Sequence, residues 1–241
     1  MLQSGLIHGF TTKKIDGSNT SFTSDPALIN SSALPRLTQS FGLQKYKFVF
    51  QRQVHGNDIK IINITDLKND IAVFEDNDGL ITNEPGVCLI SLSADCMSLL
   101  LAHPETGSIA NAHCGRRGTL LRLPAKLLFA FCSEYHIPPS DVIAIMGTSI
   151  SVMCYEVGED ILSELKSLNP DSLGFLLNRN GQRYFDLRGF VFYQLTSSGV
   201  ISQNIFSQTK CSHCDSDLFY SYRRDGQVLG SQAGFIATPL K

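Results

Sequence analysis

Three short stretches of this chain end an apolar run in a side chain able to offer a lone pair. "SLSADC" (91–96) closes on Cys96, "SIANAH" (108–113) on His113 and "QRQVH" (51–55) on His55. Thiolate sulfur and imidazole nitrogen are ligands for zinc, and a thiolate beside an imidazole is equally a nucleophile with its base. Cys96 and His113 stand 17 residues apart, with the turn "HPETG" between two apolar runs. If 98–103 and 108–113 pair as a hairpin, the start of the first strand and the end of the second share one edge, which brings the two residues within reach. Singly, Cys96 could be a packed small hydrophobe and either histidine a hydrogen-bonded turn residue. Together, each beside a residue suited to a tight or polar turn (Gly56, Asp95, Gly115), they form a candidate centre for catalysis or ligation.

Such residues need elements to hold them. Extended segments are expected at 46–55, 86–96, 98–104, 108–113 and 141–147, each apolar and closed by a turn signal. Helices are expected at 119–135, 158–168 and 187–199. In the first, Leu120, Leu123, Leu127, Leu128 and Phe131 recur at helical spacing, and Pro124 sets the start of regular helix near itself. Strands that cluster and mix with helices without strict βαβ alternation predict an α+β fold.

The 241 residues contain no linker, repeat or low-complexity tract, so one domain over 1–241 is expected. Hydrophobic residues make up 43% and charged residues 17%, which supplies a sizeable core and argues against disorder. Lys and Arg total 20 against 22 Asp and Glu, with no basic run, so nucleic acid is not an expected partner. No apolar run approaches the ~20 residues of a membrane-spanning helix. The segment "MLQSGLIHGFTTKKIDG" lacks the pattern of a signal peptide, so a cytoplasmic location is expected. In a reducing compartment the seven cysteines, an odd number, read as free thiols, metal ligands or a nucleophile rather than as disulfides.

Five blocks carry a resemblance. "QVHG" (53–56), "ADC" (94–96), "AHxGxRG" (112–118), "CYEVG" (154–158) and "FYSYRRDG" (219–226) match the order and spacing of the laccase-domain family, also called the polyphenol oxidase or YfiH-type family and now regarded as purine nucleoside phosphorylases. The chain resembles that family from about His8 to Phe235. The resemblance implies a single α+β domain of mixed sheets flanked by helices, related to the deamidase fold of cytotoxic necrotizing factors. It also implies bound zinc, with His55, Cys96 and His113 as ligands. The implied reactions are phosphorolysis of adenosine, inosine, guanosine and S-methyl-5′-thioadenosine, and hydrolytic deamination of adenosine. Partners are then purine nucleosides, with phosphate as co-substrate, in a monomer or small homo-oligomer.

The residue chemistry agrees with that implication. Three protein ligands leave a fourth position open, the pattern of a catalytic zinc site, and zinc lowers the pKa of bound water toward ~7, which suits deamination. Phosphorolysis needs phosphate held beside the ribose C1′. Arg117, at the arginine of "AHxGxRG", is the first candidate, then Arg223 and Arg224 of "SYRRD", because a guanidinium grips phosphate through two parallel hydrogen bonds. N–H groups at the start of the next helix would add to that anion site. Asp95 is expected to orient a ligand or contact the ribose.

Three departures from the family pattern bear on substrate preference. Cys114 and Arg116 stand where the family has Ala and Trp, in a chain without tryptophan; "GTSISVMCYEVG" lacks the usual two prolines; and Lys13 of "TTKKIDG" replaces an arginine. Rival readings are a metal-free hydrolase using Cys96 and His113, which needs no His55, and a binding protein that kept the fold without catalysis. A copper polyphenol oxidase has the weakest support, because the six histidines include no His-x-His pair. The C-x-x-C pair Cys211 and Cys214 lacks a matching second pair; its loop is expected to line or cover the site, with His213 exposed.

Overall fold

The computed structural model describes residues 5–23, 25, 28–29, 33–227 and 229–240; Met1–Ser4 at the start of the amino-terminal segment lie outside them. Two mixed sheets dominate. The first runs β1 (Ile7–Phe10), β15 (Gln232–Ala237), β8 (Val87–Ser93), β4 (Lys47–Gln51), β6 (Ile71–Phe74). The second runs β14 (Ile205–Ser207), β11 (Ile143–Met146), β9 (Met97–His103), β10 (Ser108–Cys114), β7 (Gly79–Thr82), β5 (Ile59–Ile61). Two ribbons, β2 (Lys14–Ile15) with β3 (Ser18–Asn19) and β12 (Leu176–Arg179) with β13 (Gln182–Phe185), lie outside them. The helices are α1 (Leu34–Phe41), α2 (Arg116–Leu120), α3 (Leu123–Tyr135), α4 (Glu159–Leu168), α5 (Leu187–Ser197) and α6 (Tyr222–Asp225).

The sheets stack face to face. Val87 and Leu89 of β8 meet Leu100 and Ala102 of β9 in the core between them, while Cys88, Ile90 and Leu92 turn outward under α1. On the far side, Leu99 and Leu101 pack with Leu127, Phe131, Phe190 and Leu195 of α3 and α5. Covered on both faces, β8, β9 and β10 are buried throughout, which is why they read as continuous apolar runs. Polar residues that enter the inter-sheet core bridge it. Ser91 Oγ donates to Ser98 Oγ at 2.8 Å, and Asn111 Nδ2 donates to the carbonyls of Leu89 (3.0 Å) and Gly234 (2.8 Å).

The expected hairpin forms, antiparallel from Ser108↔His103 to Cys114↔Met97. The expected helix over 119–135 is two helices, because Arg122 takes a left-handed φ of 65° between α2 and α3. Pro124 then sits in the first turn of α3, where a missing N–H costs nothing. Helices α4 and α5 fall within their expected spans. The extended segment expected over 46–55 ends at Gln51, and the residues after it form a loop that carries His55. Helix α1, opened by Pro35 and closed by Gly42 at φ 68°, was not among the expected elements. No helix among the described residues is long and apolar enough to cross a membrane.

Sheet register then sets where the chemistry lies. β4 and β8 run parallel, so the segments leaving them, which carry His55 and Cys96, emerge at the same edge. β9 starts and β10 ends at one edge of the second sheet, and β7 begins there too, since Gly79 pairs with Ala112.

Candidate metal centre

Asp78, the residue before β7, organises this edge. It is fully buried, and its carboxylate accepts the N–H of Val54 (3.1 Å), His55 (3.2 Å) and Gly56 (2.7 Å). The same carboxylate accepts Nδ1–H of His113 at 2.8 Å, while its carbonyl accepts the His113 N–H at 2.8 Å. One residue thus fixes both imidazole-bearing segments, and by holding Nδ1 of His113 it leaves Nε2 as the outward lone pair. Gln53 secures the rest of the loop through paired bonds with the backbone of Leu92, donating at 2.8 Å and accepting at 2.7 Å. Cys96 comes directly after Asp95, whose φ of 97° is rare for a residue with a side chain.

The donor atoms of His55, Cys96 and His113 lie within 4.8 Å of one another. His55 Nε2 is 3.9 Å from Cys96 Sγ. Zinc–nitrogen and zinc–sulfur bonds of ~2.0 and ~2.3 Å put two tetrahedral donors roughly 3.6 Å apart, so the set fits zinc with a small contraction. The polarisation of the donors agrees. Burial alone would raise the Cys96 pKa, but the neighbouring His113 and His55 outweigh it and bring the thiol down to about 6. Burial would lower that of His113; the Cys96 sulfur and the Asp78 carboxylate instead raise it to about 9. Burial pushes Asp78 up too, and the bonds from His113, Gly56 and Val54 hold it below the usual carboxylate range. Each group thus pulls the other toward its charged form, thiolate and imidazolium, and a cation binding here would displace the proton from His113 Nε2.

Glycines bring the helix turn against this group. A Cβ at Gly115 would lie 2.8 Å from His55 Cδ2, 3.2 Å from Cys96 Sγ and 3.4 Å from His113 Cε1. A Cβ at Gly118 would overlap the Gly56 carbonyl oxygen. Both glycines of "GRRG" are thus demanded by close approach.

The three donors line a cleft of about 1030 Å³. Phe22, Leu92, Ile150 and Leu187 supply apolar wall, and Arg116, Tyr155 and Arg223 supply polar groups. Arg223 stacks over the Tyr155 ring at 5.3 Å. Arg116 holds Glu164 through Nε and Nη2, both at 2.9 Å. Burial raises the Tyr155 phenol pKa against the opposing pull of Arg116, so it stays protonated at neutral pH.

The other sequence candidates divide. Arg223 lines the cleft, but Arg117 is exposed and outside its lining; one residue along a helix turns a side chain by about 100°, and here Arg116 is the one that faces in. Arg224 is committed to the fold, since its guanidinium binds the carbonyls of Ser212, His213 and Phe219 and both oxygens of Asp225. The carboxylate of Asp95 accepts Ser212 Oγ and the Arg223 N–H, each at 2.6 Å, so it ties the Cys96 turn to α6. Cys114 points into the core beneath the helices, and α2, the helix after "GRRG", has only five residues.

A family model described as multi-copper polyphenol oxidoreductase laccase matches residues 5–239. The chain belongs to this family. Within it, the chain is 32% identical over 207 residues to purine nucleoside phosphorylase YlmD of Geobacillus stearothermophilus, covering 83% of this chain and 76% of that protein. The crystal structure of that YlmD superposes with a TM-score of 0.83 over 98% of this chain and 92% of the other, at 29% identity. Adenosine deaminase RL5, from an unknown prokaryotic organism, is 28% identical, covering 91% of this chain and 89% of RL5. The chain spans little more than half of its mouse and human relatives, 56% and 55%. As a member of the laccase-domain family it adds to the three donors two residues that sequence reasoning missed, Asp78 and Tyr155. Asp78 lies in "EDNDG", where four polar residues precede a glycine and nothing singles out one carboxylate. Tyr155 lay inside a family block, "CYEVG", without an assigned role.

Proposed function

We propose that this chain is a zinc-dependent purine nucleoside phosphorylase acting on adenosine, inosine, guanosine and S-methyl-5′-thioadenosine, with deamination of adenosine as a second reaction. The observation that carries the reading is a His-Cys-His donor set on the wall of a cleft large enough for a nucleoside, with Arg52, Arg116, Arg223 and Tyr155 lining the same space. The names of the phosphorylase and deaminase relatives support it. His55, Cys96 and His113 would hold the ion, which when bound supplies a Lewis acid beside the purine. Asp78 keeps the His113 ring oriented. Arg223 and Arg116 give phosphate a cationic wall, and Arg117, standing outside the cleft, is the weaker candidate. In phosphorolysis a phosphate oxygen forms a bond to C1′ as the C1′–N bond breaks, and the electron pair of that bond goes to the purine, which takes a proton. Tyr155 is a protonated phenol in the cleft that can donate a hydrogen bond to the departing base. Asp95 also lines the cleft, with its two carboxylate oxygens taken up by Ser212 and the Arg223 N–H, so it serves by joining the Cys96 turn to α6.

Incubation with adenosine or inosine plus phosphate, followed by chromatography, tests the reading. Free base with ribose-1-phosphate is expected, and inosine from adenosine reports the second reaction. A zinc-loaded protein that yields none of these overturns it. The order Asp78–His113–Cys96 also resembles that of a cysteine hydrolase, in which His55 is idle. His55→Ala separates the two, because metal content and turnover fall together in a zinc enzyme, whereas a hydrolase keeps both alkylation at Cys96 and activity.

A further inference from the structure

The C-x-x-C pair of the "CSHCDSD" loop has the partner that its sequence lacked. Cys154, at the end of the 3-10 turn Val152–Cys154, meets Cys214 with the two sulfurs 3.2 Å apart, although 60 residues separate them in sequence. His213 joins them, and the donor atoms of Cys154, His213 and Cys214 all lie within 4.8 Å of one another. Cys211 stands beside this group of three. Its sulfur accepts the Ser151 N–H at 3.2 Å and neighbours the Cys214 sulfur. An N–H donated to a sulfur is the kind of outer partner that steadies a metal-bound thiolate.

We infer that Cys154, His213 and Cys214, with the neighbouring Cys211 drawn in as fourth ligand, form a second metal site, distinct from the centre in the cleft, that takes zinc or a similar thiophilic divalent ion in a structural role. Three sulfurs and one imidazole are a closed zinc set, with no position left for substrate. A disulfide between Cys154 and Cys214 would leave the imidazole beside them without a purpose, whereas a cation uses all four groups.

The surroundings explain what such an ion would do. Arg224 already grips the carbonyls of Ser212 and His213, and Ser212 Oγ holds Asp95, the neighbour of Cys96. Cys154 precedes Tyr155 of the cleft wall. An ion here clamps the loop around Cys211–Cys214 to the segment that carries Tyr155, and so braces the rim of the first site from outside.

Cobalt titration of the full chain, stripped of metal by chelator and kept under reductant, tests this without reference to turnover. Thiolate-to-cobalt absorption should saturate at two equivalents in the native chain. The double variant Cys154→Ser, Cys214→Ser should lose one equivalent and keep the one owed to Cys96, and Cys96→Ser should do the reverse. His213→Ala, a change to a half-buried loop side chain, should weaken the same equivalent and serves if the double variant does not fold. The inference is overturned if Cys96→Ser abolishes all cobalt absorption, if His213→Ala and the double variant bind as the native chain does, or if mass spectrometry finds a Cys154–Cys214 disulfide in the reduced preparation.

Discussion

The two His/Cys groups of this molecule are built from opposite materials. Around His55, Cys96 and His113 the donors leave the ends of sheet strands, and a fully buried carboxylate holds both imidazole-bearing segments before any ion arrives. Around Cys154 and Cys214 the donors ride on a 3-10 turn and a loop, exposed or half-buried, steadied by backbone hydrogen bonds and by Asp95, Asp215 and Arg224. The first arrangement suits chemistry, which needs fixed geometry and an open position; the second suits a brace, which an ion can itself pull into shape.

The largest effect expected is at the first group. Cys96→Ser or His113→Ala should remove its metal and lower phosphorolysis by more than the ~100-fold that losing even an outer partner costs. Metal analysis beside base release checks this, and turnover retained without that metal would break the contrast. Asp78→Asn keeps the shape and loses the charge. It should weaken metal affinity or activity by roughly 10–100-fold, read by chelator competition, with the Cys154 group unaffected. Gly115→Ala should cost about 1–3 kcal/mol through overpacking against all three donors, seen as lower activity in a protein whose circular dichroism is unchanged.

Thiol reactivity sharpens the comparison. Hydrogen bonding with Cys154 and then Cys211 holds the Cys214 thiol up, to about 12, whereas Cys96 is brought down to about 6. In chelated, reduced protein at neutral pH, iodoacetamide should therefore label Cys96 ahead of the more exposed Cys214, and the Cys96 rate should fall as pH drops through about 6. Peptide mapping that finds Cys214 labelled first would refute the electrostatic account. The smallest effect is at Arg117. Its replacement by alanine should change activity within about twofold, the reach of ~0.5 kcal/mol at a surface position, while Arg223→Ala should raise the KM for phosphate clearly beyond that.

Strands β8, β9 and β10 were legible because a strand covered on both faces must be apolar at every position, and the pairing of β9 with β10 came from a five-residue turn. That pairing in turn placed Cys96 and His113 at one edge. The features that stayed hidden depend on contacts between distant segments. Asp78 acts 35 residues away from His113, and Cys154 meets Cys214 across 60. Neither leaves a periodic trace. The choice between Arg116 and Arg117 is a matter of helix phase, which a strand-to-helix turn of uncertain start does not fix. Strands β1, β5, β7 and β15 were missed because Gly or short length interrupts their apolar pattern.

The bond from Asp78 to both imidazole-bearing segments has a consequence for supply. A site assembled by the protein's own hydrogen bonds has little folding energy to gain from its ion, so apo and loaded chains should share one shape and exchange should be quick. Between zinc and copper, both at home with imidazole and thiolate, the prevailing availability of each then decides which ion such a ready-made seat holds.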